Sequence, residues 1–102
     1  PLAATGMDPK TRAADTNDFC LVLTPELVAS AYAARAIREH FRALAEETRR
    51  KLVGVVSELV ERSVEQRPDT PITVTAALGS DSIRGEVADH AGFSTFEIPL
   101  AD

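Results

Sequence analysis

Residues 72–87 carry the sequence ITVTAALGSDSIRGEV, and this stretch decides the fold. On both sides of Gly79-Ser80-Asp81, apolar residues alternate with polar or small ones, which is the period-two pattern of strands that bury one face. Glycine, serine and aspartate are typical of turns, because they accept unusual backbone angles or bond to their own backbone. The stretch therefore predicts two antiparallel strands joined by a tight turn.

Two shorter segments outside this hairpin also predict strands. Phe19 to Leu23 is an apolar run in which Cys20 is expected to be a small buried residue. Residues 96–100 alternate again between apolar and polar types. Pro99 favours an edge position for this last strand, because proline has no N–H to donate to a neighbour.

A first amphipathic helix is predicted after the first strand. It begins at Thr24-Pro25-Glu26, since threonine caps a helix, proline suits its first position and glutamate suits its positive end. Residues on its apolar face recur at spacings of three and four. They are Leu27, Ala31, Ala34, Ile37, Phe41 and Leu44.

A second helix is predicted to begin between Ala45 and Thr48 and to end near Gln66, because the prolines that follow cannot continue it. Gly54 is expected to let another element pack closely against it. Its apolar side consists of two adjacent rows. These rows are Leu52, Val56, Leu59 and Ser63, and Val53, Val60 and Val64.

The order strand, helix, helix, strand, strand, strand predicts an α+β domain. We expect a two-layer sandwich in which two helices cover one face of a mixed or antiparallel sheet, since this arrangement buries both helical stripes. Residues 1–18 are rich in Ala, Thr, Asp, Pro and Gly without periodicity, which predicts a flexible N-terminal arm. Residues 19–102 are expected to form the single domain.

Composition narrows the function classes. The net charge of −5 disfavours nucleic acid as a partner, because phosphate backbones repel an acidic chain. A single cysteine excludes an internal disulfide. No apolar run approaches the roughly 20 residues that cross a bilayer, and no signal peptide is recognisable, so we expect a cytoplasmic protein that does not enter the membrane.

Basic residues nevertheless cluster between residues 35 and 51. Glutamates are interleaved with them, which is typical of a solvated helix surface. A site for an acidic protein partner is the alternative interpretation. The cluster comprises Arg35, Arg38, Arg42, Arg49, Arg50 and Lys51.

The segment 56–64, VSELVERSV, carries a resemblance to a known family. It resembles the N-box helix of the GHKL, or histidine-kinase-like, ATPases. It is more similar to the anti-sigma-factor serine kinase branch, whose pattern is Ser-Glu-Leu-Val-x-Asn-Ala-Val. The strand pair with Gly85-Glu86-Val87-Ala88-Asp89 fits the same family, so the resemblance covers roughly residues 19–92. It implies a shortened Bergerat-type fold.

The resemblance implies a role for each matching residue. Glu58 takes the position of the carboxylate base that activates an attacking hydroxyl or water. Arg62 takes the position of the asparagine that holds Mg²⁺. Asp89 takes the position of the aspartate that binds the adenine amino group. Gly92 is the glycine that remains in the segment whose backbone holds the phosphates.

Two departures from the family weaken the nucleotide site. A guanidinium has five donors and no acceptor, so Arg62 cannot ligate a cation, and no metal site is expected. The family's Asp-x-Gly-x-Gly segment reads Asp89-His90-Ala91-Gly92-Phe93, and no glycine follows in this sequence. Either the lid is naturally shortened, or its remaining segments belong to a longer chain. Phe93 and Phe96 are expected to cap the empty nucleotide pocket. ATP and Mg²⁺ are cofactors only if the chain is a working kinase.

Each site residue also has a simpler interpretation. Glu58 and Arg62 are four residues apart on a helix, the spacing of a surface ion pair. Asp89 follows a strand and precedes a turn, where aspartate is common. Glu58 is therefore either a catalytic base or one half of an ion pair. Asp89 is either a purine contact or a turn former.

Three functions follow. The first is a regulatory domain without kinase activity that acts in transcriptional or stress-response partner switching. The resemblance implies a sigma factor or an anti-anti-sigma protein as its partner, and a homodimer formed through the region Phe19–Phe41. The second is an active ATP-dependent serine protein kinase. The third is a structural or small-ligand domain that shares only the architecture.

Overall fold

The computed structural model describes residues 18–100 of the chain. The predicted arm lies outside these residues except for Asp18, which begins the first strand. The helices are α1 (Ala29–His40) and α2 (Glu46–Gln66). The strands are β1 (Asp18–Leu23), β2 (Ile72–Leu78), β3 (Ser82–Asp89) and β4 (Gly92–Pro99).

The four strands form one sheet in the order β1-β2-β3-β4, and each neighbouring pair is antiparallel. The α+β sandwich predicted from the sequence is therefore confirmed, with an antiparallel rather than a mixed sheet. Pairing of Val74 with Val87 puts both on the helix-covered face, as the period-two pattern requires. Pro99 lies on the edge strand β4, as predicted.

The first helix begins later than the sequence suggests. Thr24 donates its hydroxyl to the Glu26 carboxylate (2.9 Å) instead of capping a backbone N–H, and residues 24–28 form turns before α1 begins at Ala29. The buried face is rotated accordingly, so the prediction for Leu27 was wrong, and this side chain is 93% exposed. The buried residues of α1 are Ala29, Ala33, Ala34 and Ile37.

Both ends of the second helix lie where the sequence places them. Thr48 and Ser63 are buried on α2 together with Leu52, Val53, Val56 and Val60. The expectation for Gly54 was wrong, because it is exposed and no heavy atom lies within 4 Å of where its Cβ would be. Close packing occurs instead at Gly85 in β3, where a Cβ would lie 2.6 Å from Cζ of Phe96.

The two helices cover one face of the sheet. Helix α2 contacts β2, β3 and β4, while α1 contacts α2 and β1. The opposite face carries Cys20 and Val22, which are exposed, so the prediction that Cys20 is buried was wrong. The short α1–α2 connection is held by Arg49, which donates to the backbone oxygens of Arg42 (3.2 Å) and Leu44 (2.7 Å).

Candidate functional site

Asp89 is the centre of the candidate site. It ends β3 on the helix-covered face, and His90 and Ala91 form the tight turn into β4. Its Oδ1 atom accepts hydrogen bonds from the backbone N–H groups of Ala91 (2.8 Å) and Gly92 (3.2 Å). The segment that the resemblance assigns to phosphate binding is therefore a two-residue hairpin turn closed by Asp89, which agrees with the turn-forming interpretation.

The second oxygen of Asp89 faces helix α2. Oδ2 accepts a hydrogen bond of 2.5 Å from the Ser63 hydroxyl and lies 3.5 Å from the Arg67 guanidinium. The side chain of Asp89 is only 8% exposed. A carboxylate offers about four lone-pair positions, and four protein groups approach the two oxygens. The carboxylate is thus fully engaged within the chain.

These contacts favour the charged form of Asp89. The hydrogen bond from Ser63 is the largest cause that lowers the pKa of Asp89 below its ordinary value, and burial opposes it. The backbone N–H groups of the turn and the positive charge of Arg67 lower the pKa of Asp89 further. The group is therefore an anchoring anion between sheet and helix, and its proton is not available for acid catalysis near neutral pH.

Local structure explains how Ser63 and Arg67 reach this carboxylate. Ser63 belongs to the apolar row of α2 that faces the sheet, and it is 7% exposed. Arg67 is the C-cap residue of α2, where its N–H bonds to the Ser63 carbonyl (2.8 Å). Sequence reasoning assigned no role to either residue. A serine in a row of Leu and Val was the available signal, because a buried hydroxyl requires a partner.

Glu58 and Arg62 do not join this cluster. Arg62 Nη2 lies 3.1 Å from Glu58 Oε2, and their side chains are 72% (Glu58) and 53% (Arg62) exposed. This is the i,i+4 surface pair that the spacing predicts. Arg62 lines the cleft described below, whereas Glu58 does not. Glu58, at the position of the base, therefore makes no direct contact with Asp89, at the position of the adenine contact.

A small cleft separates the C-terminal end of α2 from the β3–β4 turn. Its volume is about 210 Å³, and Arg62, Arg67, Asp89, Gly92 and Phe93 are among the residues that line it. Small-molecule sites occupy roughly 300–1,000 Å³. Phe93 borders the cleft, but Phe96 packs over Gly85 and does not line it. Only one of the two phenylalanines expected to cap the pocket lines it.

The donor set of the cleft does not suit a Mg-nucleotide. Arg62 offers only N–H donors, and both oxygens of Asp89 already accept from protein groups. Within residues 18–100, no three His, Cys, Asp or Glu side chains converge to hold a metal ion.

The region predicted to mediate dimerisation is divided between core and surface. Phe19 and Phe41 are 8% and 3% exposed and belong to the core, with their ring centroids 6.0 Å apart. Val22, Val28 and Tyr32 lie between them in sequence and are at least half exposed. Any partner of this region therefore meets the exposed side chains rather than the two phenylalanines.

No helix in the described part of the chain is long and apolar enough to cross a membrane. Comparison with family models, curated proteins and solved structures finds no match for the chain.

Proposed function

We propose that this chain is a regulatory, partner-binding domain related to the anti-sigma-factor serine kinases, without kinase activity of its own. The observation that carries the proposal is the engagement of Asp89. In an adenine-reading site, this carboxylate must accept a hydrogen bond from the base. Here four protein groups surround it, and the main one is a 2.5 Å hydrogen bond from Ser63.

The position of Arg62 supports the same conclusion. Its guanidinium lies one helical turn after Glu58 and binds that carboxylate at 3.1 Å. A cation at this place repels Mg²⁺, and the ion pair also engages the carboxylate that would act as a base. Arginine at position 62 therefore impairs both groups that the resemblance assigns to α2, the carboxylate base Glu58 and the metal ligand.

The partner follows from the resemblance rather than from the cleft. A sigma factor or an anti-anti-sigma protein is the expected class, and transcriptional partner switching in the cytoplasm is the expected context. A homodimer through the exposed residues of the region Phe19–Phe41 is part of this proposal. The exposed Leu27 and Val28 are available for such contacts.

Titration with a fluorescent ATP analogue in the presence of Mg²⁺ tests the proposal. We expect no saturable binding in the micromolar range. The Arg62→Asn variant restores an oxygen ligand, and Arg50→Asn is its matched control because Arg50 also forms an exposed i,i+4 pair on α2. We expect no micromolar binding from either variant, because Asp89 stays engaged.

Micromolar affinity of the unaltered chain for Mg-ATP would overturn the proposal and favour an active kinase. Co-purification with a sigma factor or an anti-anti-sigma protein tests its positive half. Failure to bind either protein class, together with absent nucleotide binding, would favour a domain that shares only the architecture.

A further inference from the structure

The basic side chains of the chain differ in whether they have a partner within it. All Lys and Arg residues except Lys10 and Arg12 lie in the described range. Arg50, Lys51, Arg62, Arg67 and Arg84 each form an ion pair with a carboxylate. Arg49 donates to two backbone carbonyls in the α1–α2 connection. Among residues 19–100, three guanidinium groups are left without such a contact to another residue of that range, and they are those of Arg35, Arg38 and Arg42.

These three arginines share one side of the molecule. Their spacings of three and four residues place them along the outer face of α1 and the turn that follows it. All three are exposed, and none of them forms an ion pair with a side chain of residues 19–100. Glu39 lies four residues after Arg35, yet no ion pair joins the two. Positive charge therefore accumulates locally on a chain whose net charge is −5.

Exposed apolar side chains also lie beside the same face. Five large hydrophobic residues are exposed in the described part of the chain, and two of them, Val22 and Tyr32, line a groove here, whereas Leu27 lines a different cleft. Tyr32, which is 61% exposed, lies one turn before Arg35 on α1. Between α1 and the edge strand β1 is a groove of about 510 Å³ lined by Val22, Tyr32, Arg35 and Glu39 among others. Apolar contact and positive charge are thus offered together.

We infer that the groove between β1 and α1, with Arg35, Arg38 and Arg42, is the docking surface for an acidic amphipathic helix of a partner protein. The inference rests on the proposed partner-binding function and names the chemistry of the partner. A helix with an apolar stripe fills the groove beside Tyr32 and Val22, and its flanking carboxylates meet the three guanidinium groups. Complementary charge also guides the encounter and fixes the orientation of the helix.

A synthetic peptide provides the probe. It has 18 residues, with Leu at spacings of three and four and Glu elsewhere, and it carries a fluorescein label for anisotropy. The test variant is Arg35→Gln/Arg38→Gln/Arg42→Gln. The matched control is Arg50→Gln/Lys51→Gln/Arg84→Gln, which removes the same number of exposed charges from paired positions. Both variants change the net charge equally, so only the location of the lost charge differs.

We expect the test variant to bind the acidic peptide at least about tenfold more weakly than the unaltered chain, and the control to stay within about twofold. Tyr32→Ser should weaken binding several-fold, whereas Phe93→Ser, an exposed aromatic residue outside the groove lining, should not. A peptide of the same composition with scrambled leucines should bind more weakly. Urea unfolding of every variant establishes that it is folded.

Equal loss in the test and control variants, or no binding of the acidic peptide to the unaltered chain, overturns the inference. The inference is also overturned if a second copy of the chain occupies the groove. In that case sedimentation shows a dimer, the test variant dissociates this dimer, and the unaltered chain does not bind the peptide. Mg-ATP titration of the same preparations separates the two proposals. Micromolar nucleotide binding contradicts the proposed function, whereas absent peptide binding without nucleotide binding contradicts only the docking surface.

Discussion

The cleft at Asp89 and the outer face of α1 both carry charged side chains, but they use them in opposite ways. At the cleft, the Asp89 carboxylate is buried and contacted by Ser63 and Arg67 from α2 and by two backbone N–H groups. On α1, exposed arginines make no ion pair in the described part of the chain. Removing a buried carboxylate leaves its hydrogen-bond donors unsatisfied and destabilises the fold, whereas exposed charges without an ion pair are available to a partner.

The family resemblance and the contacts in the structure point to different regions as the binding surface. The resemblance directs attention to the cleft, because the residues at the positions of the kinase base, metal ligand and adenine contact lie on α2 and β3. The contacts in the cleft make it a structural junction between helix and sheet. For the outer face of α1, the sequence left a solvated surface and a site for an acidic protein partner as alternatives. This face carries three exposed arginines that form no ion pair within residues 19–100.

The largest expected effect is on stability when the junction is removed. Asp89→Ala leaves the Ser63 hydroxyl and two turn N–H groups without their acceptor, so we expect the free energy of unfolding to fall by about 2–3 kcal/mol. Urea denaturation measures it. Asp81→Ala, in the exposed β2–β3 turn, is the control and should change stability by less than about 0.5 kcal/mol. Equal effects of the two substitutions would contradict the structural role of Asp89.

Removing only the helix side of the junction should have a smaller effect. Ser63→Ala deletes the 2.5 Å hydrogen bond but leaves the carboxylate its turn N–H groups and Arg67. We expect a loss of about 1–2 kcal/mol by urea denaturation. Ser57→Ala on the same helix is the control, since no hydrogen bond of its side chain is present within residues 18–100. A Ser63→Ala variant as stable as its control would show that the helix contact does not stabilise the fold.

Lowering the pH should remove the stability that the Asp89 carboxylate contributes. The pKa of Asp89 in the folded protein lies below its ordinary value of 3.8, so its contribution to stability is present above that value and is lost as pH falls through the folded pKa. We therefore expect the stability difference between the unaltered chain and Asp89→Asn to shrink from about pH 6 to about pH 3.

Titration of Glu97 does not affect the stability difference between the unaltered chain and Asp89→Asn. The Ser82 hydroxyl and the Arg84 guanidinium lower the pKa of Glu97 as well, but its effect is common to both proteins and cancels in the difference. A stability difference that stays constant across this pH range would show that the charge of Asp89 is not what holds the junction.

The smallest expected change in stability follows from removing the exposed arginines of α1 and the turn after it. Arg35→Gln/Arg38→Gln/Arg42→Gln should alter the free energy of unfolding by less than about 0.5 kcal/mol, because these groups have no ion pair to lose among the side chains of residues 19–100. Thermal or urea unfolding checks this. A loss above about 1 kcal/mol would mean that the arginines stabilise the fold, and the distinction between junction and docking surface would fail.

Local patterns in the sequence were sufficient for most of the fold. The alternation in residues 72–87 predicted the β2–β3 hairpin, and the prolines after Gln66 predicted the end of α2. The start of α1 was not predictable in this way. Thr24, Pro25 and Glu26 have the composition of a helix start, but Thr24 bonds to a side chain, so the helix begins at Ala29. Composition identifies candidates for a cap, and the actual hydrogen-bond partner selects among them.

The amino-acid order alone determined the α+β class, the hairpin and the Glu58–Arg62 pair, because each depends on spacings of two, three or four residues within one element. The meeting of Ser63, Arg67 and Asp89 depended on how α2 crosses the sheet, which brings together residues 26 positions apart in sequence. Packing of α1 against α2 and β1 also left Arg35, Arg38 and Arg42 facing outward. The pairs of Arg50, Lys51 and Arg62 with glutamates follow instead from spacings of four within α2. Contacts between elements arise only when the layers pack, so no local pattern encodes them.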